Sequence, residues 1–452
     1  MSVVLIALIV GAVLLVLLVL GVPVAFALGL TAVISIALFL TGDEFGYLAD
    51  LTFESLNSFS LLAIPLFVLM GAIFGQSKAS RDLLEAAHAW IGRVRGGLGI
   101  SSVLSCAAFA ALTGSSPATS AAIGRIAIPE MVRRGYPNGV ATGAIVAGGT
   151  LGILIPPSVT LILYGVATET SVGRLFLAGV GPGLLVTALF CVWIVVALGL
   201  SRGRTTPAAA TPTGSAGELP AVTEVEAYAW RRRFGLLTKT LPFILLIAGV
   251  LFVLYAGVAT PSEAAAMGCL FAVVLVAVIY RSVTVRSLLQ AALETTRTST
   301  MILMIVAFSA VLGQVLSFLG IPQELAAVVA DLEVNKWVIF LAMNLLFLVL
   351  GLFIPPVAII LITMPVLFPI ITELGFDPVW FGVVMTLNME MGLITPPVGL
   401  NLYVVQGIAP EIPARDVLTG ALPYVAVLAV GIVLLVVFPD IVTWLPNQIH
   451  GG

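Results

Sequence analysis

Uncharged apolar segments of about 20 residues recur along the whole chain, and this pattern limits the possible folds more than any other feature. A segment of that length crosses a bilayer as a helix, because only helices and closed barrels pair every backbone polar group within lipid. Of the 452 residues, 60% are hydrophobic and 9% are charged, whereas soluble domains carry about 25% charged residues. We therefore predict an all-α polytopic membrane protein that crosses the lipid bilayer about ten times.

Several function classes find no support in the sequence. A phosphate-binding loop of the Gly-x-x-x-x-Gly-Lys type and a zinc-binding His-Glu-x-x-His pattern are both absent. The three cysteines are scattered singly, and Ser115 has no histidine or lysine in its segment that could activate it as a nucleophile. The net charge of −3 does not indicate a nucleic-acid-binding protein. We therefore expect no enzyme activity, no organic cofactor and no nucleic-acid partner.

A polar stretch at 201–239 divides the chain into two similar halves, and we predict that it is a cytoplasmic linker. A shift of 240 residues superposes proline and glycine positions of the first half on those of the second. The matched pairs include Pro129 and Pro369, Gly135 and Gly375, Gly152 and Gly392, and the strings Pro156-Pro157 and Pro396-Pro397. Such residues match by chance less often than leucine or valine. We therefore predict two structural repeats, 1–200 and 240–440, followed by a C-terminal tail at 441–452.

Each half is predicted to contain five spans and one re-entrant hairpin. In the first half these parts are scaffold spans within 1–75, an arm at 79–95, the hairpin at 97–135, an interrupted span at 138–166 and a last span at 176–200. In the second half they are spans near 240–256, 262–280 and 299–320, an arm near 322–333, the hairpin at 336–374, an interrupted span at 378–408 and a last span near 417–438. An odd number of spans per half inverts the second half relative to the first, as in many secondary transporters.

The distribution of basic residues predicts the orientation of these inverted repeats. If the amino terminus lies outside, all but two of the 19 basic residues fall on the cytoplasmic side, and the exceptions are Arg174 and Lys336. Both termini are therefore predicted to be periplasmic. The first hairpin then enters the membrane from the cytoplasm, and the second hairpin enters from the opposite face.

Proline strings interrupt the predicted helices. Because proline has no N–H, the carbonyl four residues earlier loses its helical partner. By this rule the freed carbonyls belong to Thr113, Gly152, Ile153, Gly351, Leu352, Gly392 and Leu393. Free carbonyls and nearby hydroxyls, such as those of Ser115 and Thr395, supply the oxygen ligands that Na⁺ prefers. We predict two Na⁺ sites, one between the first hairpin tip and 152–157 and one between the second tip and 392–397.

An anionic substrate is favoured at the same place, because each proline begins a half-helix whose amino-terminal N–H groups carry partial positive charge. The candidate substrate-binding side chains near the breaks are Ser115, Ser116, Thr160, Asn388, Glu390 and Asn401. Ser115 and Ser116 could donate to a carboxylate or could only cap the returning limb. Glu390 is the costliest of these to bury, and it could contact substrate, pair with Arg125 or accept from unwound amides. Arg125 could instead extend to the cytoplasmic surface.

Four runs of the sequence carry a family resemblance. They are LTGSSPATSAAIGRIAIPEMVRRGYP at 112–137, GTLGILIPPSVTLILYG at 149–165, ATPSEAAAMG at 259–268 and NMEMGLITPPVGLN at 388–401. Together they resemble the large membrane, or permease, subunit of tripartite ATP-independent periplasmic (TRAP) transporters. The resemblance extends over nearly the whole chain and includes several unusual proline and glycine strings.

The resemblance implies a bacterial inner-membrane, elevator-type importer of organic acids that is driven by Na⁺. It also implies two partners: a periplasmic binding protein that delivers the substrate, and a small membrane subunit of four spans. Because this chain begins at its first predicted span, we expect that small subunit to be a separate chain. The hairpins and interrupted spans would move against the other spans, with arms at 79–95 and 282–293 along the membrane surface. The implied Na⁺ and substrate positions are Thr113, Ser115, Gly152, Ile155, Pro157, Gly392, Thr395 and Pro397.

Two other transporter classes would use the same architecture. A Na⁺/carboxylate symporter that needs no binding protein and a Na⁺/H⁺ antiporter are both compatible with the residues. An antiporter usually needs buried acids, and only Glu390 qualifies. A channel is disfavoured, because no ring of charges or filter-like string occurs. The arms could also be ordinary amphipathic connectors.

Overall fold

The computed structural model describes residues 2–201, 230–279, 284–331 and 334–450. Within these ranges every regular element is a helix, and no strand occurs. The predicted all-α class is therefore confirmed. It follows from the long apolar segments, because a helix in lipid pairs its backbone groups without help from another segment.

Two sets of helices lie on either side of 202–229, a segment outside the described residues. The first set is α1 (Val3–Val19), α2 (Val24–Phe39), α3 (Leu48–Leu56), α4 (Ala63–Gly75), α5 (Ala79–Ile91), α6 (Gly97–Thr113), α7 (Ser116–Arg133), α8 (Asn138–Leu154), α9 (Val159–Ala167) and α10 (Val172–Ser201). The second set is α11 (Trp230–Tyr255), α12 (Pro261–Val278), α13 (Val285–Phe318), α14 (Ile321–Asp331), α15 (Lys336–Gly351), α16 (Pro356–Glu373), α17 (Pro378–Leu393), α18 (Leu400–Ile408), α19 (Ala414–Val437) and α20 (Asp440–His450). Short 3-10 segments at Gly42–Tyr47 and Phe59–Leu62 flank α3.

Six of the described helices are long and apolar enough to cross a membrane by themselves. They lie in α10, α11, α12, α13, α16 and α19. Two further pairs could each form one span that is bent at a short break, namely Asp43–Leu56 with Phe59–Gly75 at 57° and α8 with α9 at 41°. Four shorter apolar helices of 16 or 17 residues remain, and they are α1, α2, α6 and α15. The chain is therefore a multi-pass membrane protein, and α6 and α15 are the first limbs of the two helical hairpins.

The same order of parts occurs in both halves. Two helices joined by a short tip (α6 and α7, then α15 and α16) are followed by a helix that breaks at a double proline and then by a long helix (α10, then α19). The breaks separate α8 from α9 and α17 from α18. Both α8 and α17 are buried along almost their whole length, so these two helices form the centre of the molecule.

Contacts between the halves hold this centre together. α8 packs against α6, α7 and α10 of its own half and against α19 of the other half. The Tyr164 hydroxyl of α9 donates to the Pro378 carbonyl at 2.7 Å, and the Asn138 amide donates to Asp416 at 3.2 Å. These two bonds tie α9 to the beginning of α17 and the beginning of α8 to α19.

The arm predicted at 282–293 is not a separate element. α13 begins at Val285 and continues without interruption to Phe318, while 282–283 lie outside the described residues. A capping box begins this helix, since the backbone N–H of Ser287 donates to the Thr284 hydroxyl oxygen at 3.0 Å and the N–H of Thr284 donates to the Ser287 hydroxyl oxygen at 2.9 Å. No proline follows until after Phe318, so nothing ends the helix before the predicted span.

The linker predicted at 201–239 is shorter than expected, because α11 already begins at Trp230. Aromatic contacts explain this early start. The ring of Trp90 in α5 lies edge-on to Trp230 and Phe234, with centroid distances of 6.3 and 5.8 Å. The amphipathic helix α5 is thereby fastened to the beginning of α11.

The C-terminal tail predicted at 441–452 is also largely helical. α20 covers it as far as His450, and 451–452 lie outside the described residues. This helix packs against α10, where the Ile441 carbonyl lies directly over Gly181. The contact with α10 supplies the stability that so short a helix lacks on its own.

Candidate functional site

The tip of the first hairpin is a tight turn whose polar groups bond to one another. α6 ends at Thr113, and Gly114 takes a left-handed conformation with φ of +55° before α7 begins. The hydroxyls of Thr113 and Thr119 lie 2.8 Å apart, and Thr119 donates to the Ser115 carbonyl at 2.9 Å. Because Pro117 has no N–H, no described residue donates to the carbonyl of Thr113.

The first break lies against this tip. Gly152, near the end of α8, is so close that a Cβ added to it would be 2.9 Å from the Ser115 carbonyl carbon and oxygen. Ile155 donates its N–H to Leu151 at 2.9 Å, and the next two residues are prolines. As a result, no described N–H or O–H donates to the carbonyl of Gly152. The structure therefore places the first tip and the first break in backbone contact, with free carbonyl oxygens on both.

The second hairpin tip and the second break are also in backbone contact. A Cβ added to Gly392 of α17 would be 2.6 Å from the Cα and 3.0 Å from the carbonyl oxygen of Gly351, which ends α15. No described residue donates to the carbonyl of Gly351, because the residue four positions later is Pro355. Both halves thus place a glycine of the broken helix directly on the hairpin tip.

The two breaks differ in whether the carbonyl of their glycine accepts a hydrogen bond. The sequence predicts a free carbonyl at Gly392, but the N–H of Thr395 donates to it at 3.1 Å, so that expectation is wrong. A turn in which residue i+3 donates replaces the lost i+4 bond. The Gly392 oxygen keeps a second lone pair, so it can still bind a cation. The Thr395 hydroxyl donates to Met391 at 2.6 Å.

Exposure also differs between the two breaks. Gly152 and Pro157 are buried, and Ile155 is half-buried against Gly183 of α10. In the second break, Thr395 is half-buried and Pro397 is exposed. The first candidate Na⁺ site is therefore enclosed, while the second is open on one side.

Three of the predicted polar side chains meet in one cluster, which we call the Ser116 junction and define as Ser116, Glu390 and Asn401. The Ser116 hydroxyl donates to Glu390 Oε2 at 3.0 Å, and the Asn401 amide donates to the Ser116 oxygen at 2.6 Å. Asn401 also donates to the Val146 carbonyl at 3.3 Å. All three side chains are fully buried.

The partner of Glu390 is thus a hydroxyl group, which sequence reasoning did not consider. Arg125 is exposed, and no ion pair joins it to Glu390 among the described residues. Glu390 Oε1 and Asn401 Oδ1 have no hydrogen-bond donor in the described part of the chain.

The two remaining predicted positions lie elsewhere in the interior. Thr160 is buried in α9. Asn388 donates to both the side-chain oxygen and the backbone carbonyl of Asn344, each at 2.7 Å. Sequence reasoning missed Asn344, although an amide in the otherwise apolar α15 is a signal that could have drawn attention to it. Asn388 therefore ties α17 to the second hairpin, while Glu390 ties it to the first.

The chemistry of these donors suits a hard cation. Over the described ranges, no group of three or more His, Cys, Asp or Glu residues could hold a metal ion. The groups available at the two breaks are backbone carbonyls and hydroxyls, which are the ligands of Na⁺ in transporters with broken helices. Such oxygens bind a monovalent cation without requiring a buried carboxylate.

Comparisons with known proteins agree with this architecture. The family model described as "Tripartite ATP-independent periplasmic transporter, DctM component" matches residues 11–441. The C4-dicarboxylate TRAP transporter large permease protein DctM of Pseudomonas aeruginosa is 39% identical over 421 residues, which cover 93% of this chain and 94% of that protein. The sialic acid TRAP transporter large permease protein SiaM of Vibrio cholerae is 32% identical, with coverage of 95% and 96%. The crystal structure of the YdaH transporter of Alcanivorax borkumensis has a similar fold, with a TM-score of 0.61, 19% identity and coverage of 89% and 90%.

Proposed function

Because this chain belongs to the DctM component family of tripartite ATP-independent periplasmic transporters, we propose that it imports an organic acid by coupling uptake to Na⁺ entry. It would act in the bacterial inner membrane with both termini in the periplasm. Its partners would be a separate small membrane subunit of four spans and a periplasmic binding protein that delivers the substrate. Transport would follow an elevator mechanism in two inverted repeats.

The observation that supports this proposal best is the backbone contact between each hairpin tip and the break of its own half. Gly152 lies on Ser115, and Gly392 lies on Gly351, in each case without a side chain between them. A buried carbonyl without a donor costs about 1–3 kcal/mol. A Na⁺ ion bound at each contact would recover this cost and would hold tip and break together.

We assign the ligands of the two Na⁺ sites by this contact. The first site uses oxygen atoms of Thr113, Ser115, Gly152, Ile155 and Pro157. The second site uses those of Gly351, Gly392, Thr395 and Pro397. Carbonyls provide most of these oxygens, and the Thr113 and Thr395 hydroxyls can each contribute an oxygen lone pair while they donate their hydrogen elsewhere.

The substrate is proposed to be a carboxylate because α7 and α16 begin at the hairpin tips and α9 and α18 begin at the breaks. Their free N–H groups favour an anion. The relatives from Pseudomonas aeruginosa and Vibrio cholerae are named for a C4-dicarboxylate and for sialic acid, both of which carry carboxylates. Of the candidate side chains, Ser115 is only half-buried, so it is the one that a ligand reaches in this conformation.

The elevator motion is supported by the contact between the hairpins and the remaining helices. Gly71 of α4 lies so close to the first tip that an added Cβ would be 2.8 Å from the Thr113 Cα. On the second hairpin, the Ser309 hydroxyl of α13 donates to the Leu361 carbonyl. A close contact with few hydrogen bonds allows two rigid blocks to slide past each other.

Reconstitution tests the proposal. The chain, its small subunit and its binding protein are placed in proteoliposomes, and an inward Na⁺ gradient is imposed without ATP. Accumulation of a labelled dicarboxylate or sugar acid that needs all three components and Na⁺ supports the proposal. Accumulation by the chain alone would instead identify a simple Na⁺/carboxylate symporter, and proton-coupled Na⁺ efflux would identify an antiporter.

A further inference from the structure

One buried hydroxyl, that of Ser116, is bonded to both sides of the second break. Glu390 lies four residues before that break begins at Ile394, and Asn401 lies two residues after it ends at Gly399. Both side chains nevertheless reach the same oxygen atom, at 3.0 and 2.6 Å. The position of a residue in the first hairpin therefore fixes the geometry of a break in the other half of the chain.

The chemistry of the Ser116 junction permits this hydrogen-bond pattern in one direction only. The Asn401 amide must donate to Ser116, because the same amide also faces the Val146 carbonyl at 3.3 Å. The Ser116 hydrogen is then directed to the Glu390 carboxyl. Since all three side chains are fully buried, water cannot replace a partner that moves away. The junction thus behaves as one unit.

The junction also lies between the two proposed Na⁺ sites. Ser116 follows Ser115, whose carbonyl is in contact with Gly152 in the first site. Glu390 precedes Gly392, which is in contact with Gly351 in the second site, by two residues. Ser116 therefore joins the first tip directly to the second break, beside the packing of α7 against α18.

We infer that Ser116, Glu390 and Asn401 are positioning residues that make Na⁺ binding at the two sites cooperative. This inference rests on the proposed Na⁺ coupling. A Na⁺ ion at the first site orders the tip, the ordered tip holds Ser116, and Ser116 holds the second break in the shape that binds the other ion. By reciprocity, an ion at the second site raises the affinity of the first by the same factor. The two sites then fill together, which prevents movement of a half-loaded carrier.

The Na⁺ dependence of uptake in the three-component proteoliposomes tests this inference. For the unmodified protein we expect a Hill coefficient near 2, because two coupled sites set its upper limit. Ser116→Ala and Glu390→Met each remove the hydroxyl-to-carboxyl bond. They should lower the Hill coefficient towards 1 and raise the half-saturating Na⁺ concentration on the order of tenfold. Asn401→Asp replaces a donor with an acceptor of the same size and should have the same effect, which provides a second route if Ser116→Ala fails to fold.

Two further variants separate positioning from other roles. Glu390→Gln keeps an acceptor oxygen for Ser116, so its Hill coefficient should stay near that of the unmodified protein. Thr386→Val is the matched control, because Thr386 is buried on the same helix but donates only to Gly382 of its own backbone. If Glu390→Gln lost cooperativity as fully as Glu390→Met, the negative charge would be needed and the inference would be overturned.

The inference can fail separately from the proposed function. Uptake that does not depend on Na⁺ in the unmodified protein would refute the ion sites and the inference together. Uptake that depends on Na⁺ with an unchanged Hill coefficient in Ser116→Ala, Glu390→Met and Asn401→Asp would refute the inference alone.

Discussion

The substitution Gly392→Ala tests the second Na⁺ site through one added methyl group. Its Cβ would lie 2.6 Å from the Cα and 2.7 Å from the carbonyl carbon of Gly351. Both neighbours are backbone atoms, so no side-chain rotation relieves the overlap. The tip and the break must separate by roughly 0.8 Å, which is the difference between 2.6 Å and an ordinary contact of 3.4 Å.

The cost of this separation gives the expected change in Na⁺ affinity. Overpacking by one methyl in a filled interior costs about 1–3 kcal/mol. If the ion requires the contact between tip and break, this energy opposes binding. Because about 1.4 kcal/mol corresponds to tenfold in affinity, the half-saturating Na⁺ concentration should rise by a factor of about 5 to 150.

Uptake at increasing Na⁺ concentrations measures this change. Gly407→Ala is the matched control, since Gly407 lies in the helix that follows the same break and an added Cβ there would have no atom within 4 Å. We expect the control to retain the Na⁺ dependence of the unmodified protein. If Gly392→Ala folded and also retained it, the Gly351 contact would not form part of a Na⁺ site.

Two other substitutions have different expected effects. Gly71→Ala places a Cβ 2.8 Å from the Thr113 Cα, so it should slow substrate uptake several-fold by obstructing the sliding contact. Gly75→Ala on the same helix is the control, because its added Cβ has no atom within 4 Å, and it should not slow uptake. Equal uptake rates for both variants would argue against sliding at this contact. Thr260→Ala removes the side-chain cap of α12, in which the Glu263 N–H donates to the Thr260 hydroxyl oxygen at 3.4 Å and that hydroxyl donates to Glu263 Oε2 at 2.8 Å. It should cost about 1 kcal/mol of stability, seen as a lower melting temperature, and an unchanged melting temperature would contradict this.

Local features of the sequence predicted where helices end, because proline and glycine act through their own backbone. α8 ends at Leu154 and α17 at Leu393, each shortly before a double proline, and two consecutive residues without an N–H remove two helical hydrogen bonds in a row. Single prolines, such as Pro182 in α10 and Pro423 in α19, leave their helices continuous. The all-helical class followed from the apolar segments in the same way. These conclusions needed no knowledge of distant contacts.

Features that depend on tertiary contacts were not predictable. The start of α11 at Trp230 depends on packing against Trp90, 140 positions away. Glu390 and Ser116 are separated by 274 positions, so nothing in either segment indicates that they pair. The hydrogen bond from Thr395 to Gly392 depends on how the turn closes after the last full helical bond. In the first two cases the determining partner lies far along the chain, whereas in the third the local pattern is compatible with more than one way of closing the turn.

Equilibrium binding of radioactive Na⁺ to the purified chain measures whether the contacts between hairpin tips and helix breaks hold the ion. We expect saturation at two ions per chain, with Gly152→Ala and Gly392→Ala each weakening binding and Gly407→Ala binding like the unmodified protein. Binding that is absent, or that is the same in all four proteins, would contradict the assignment of Na⁺ to the contacts between hairpin tips and helix breaks.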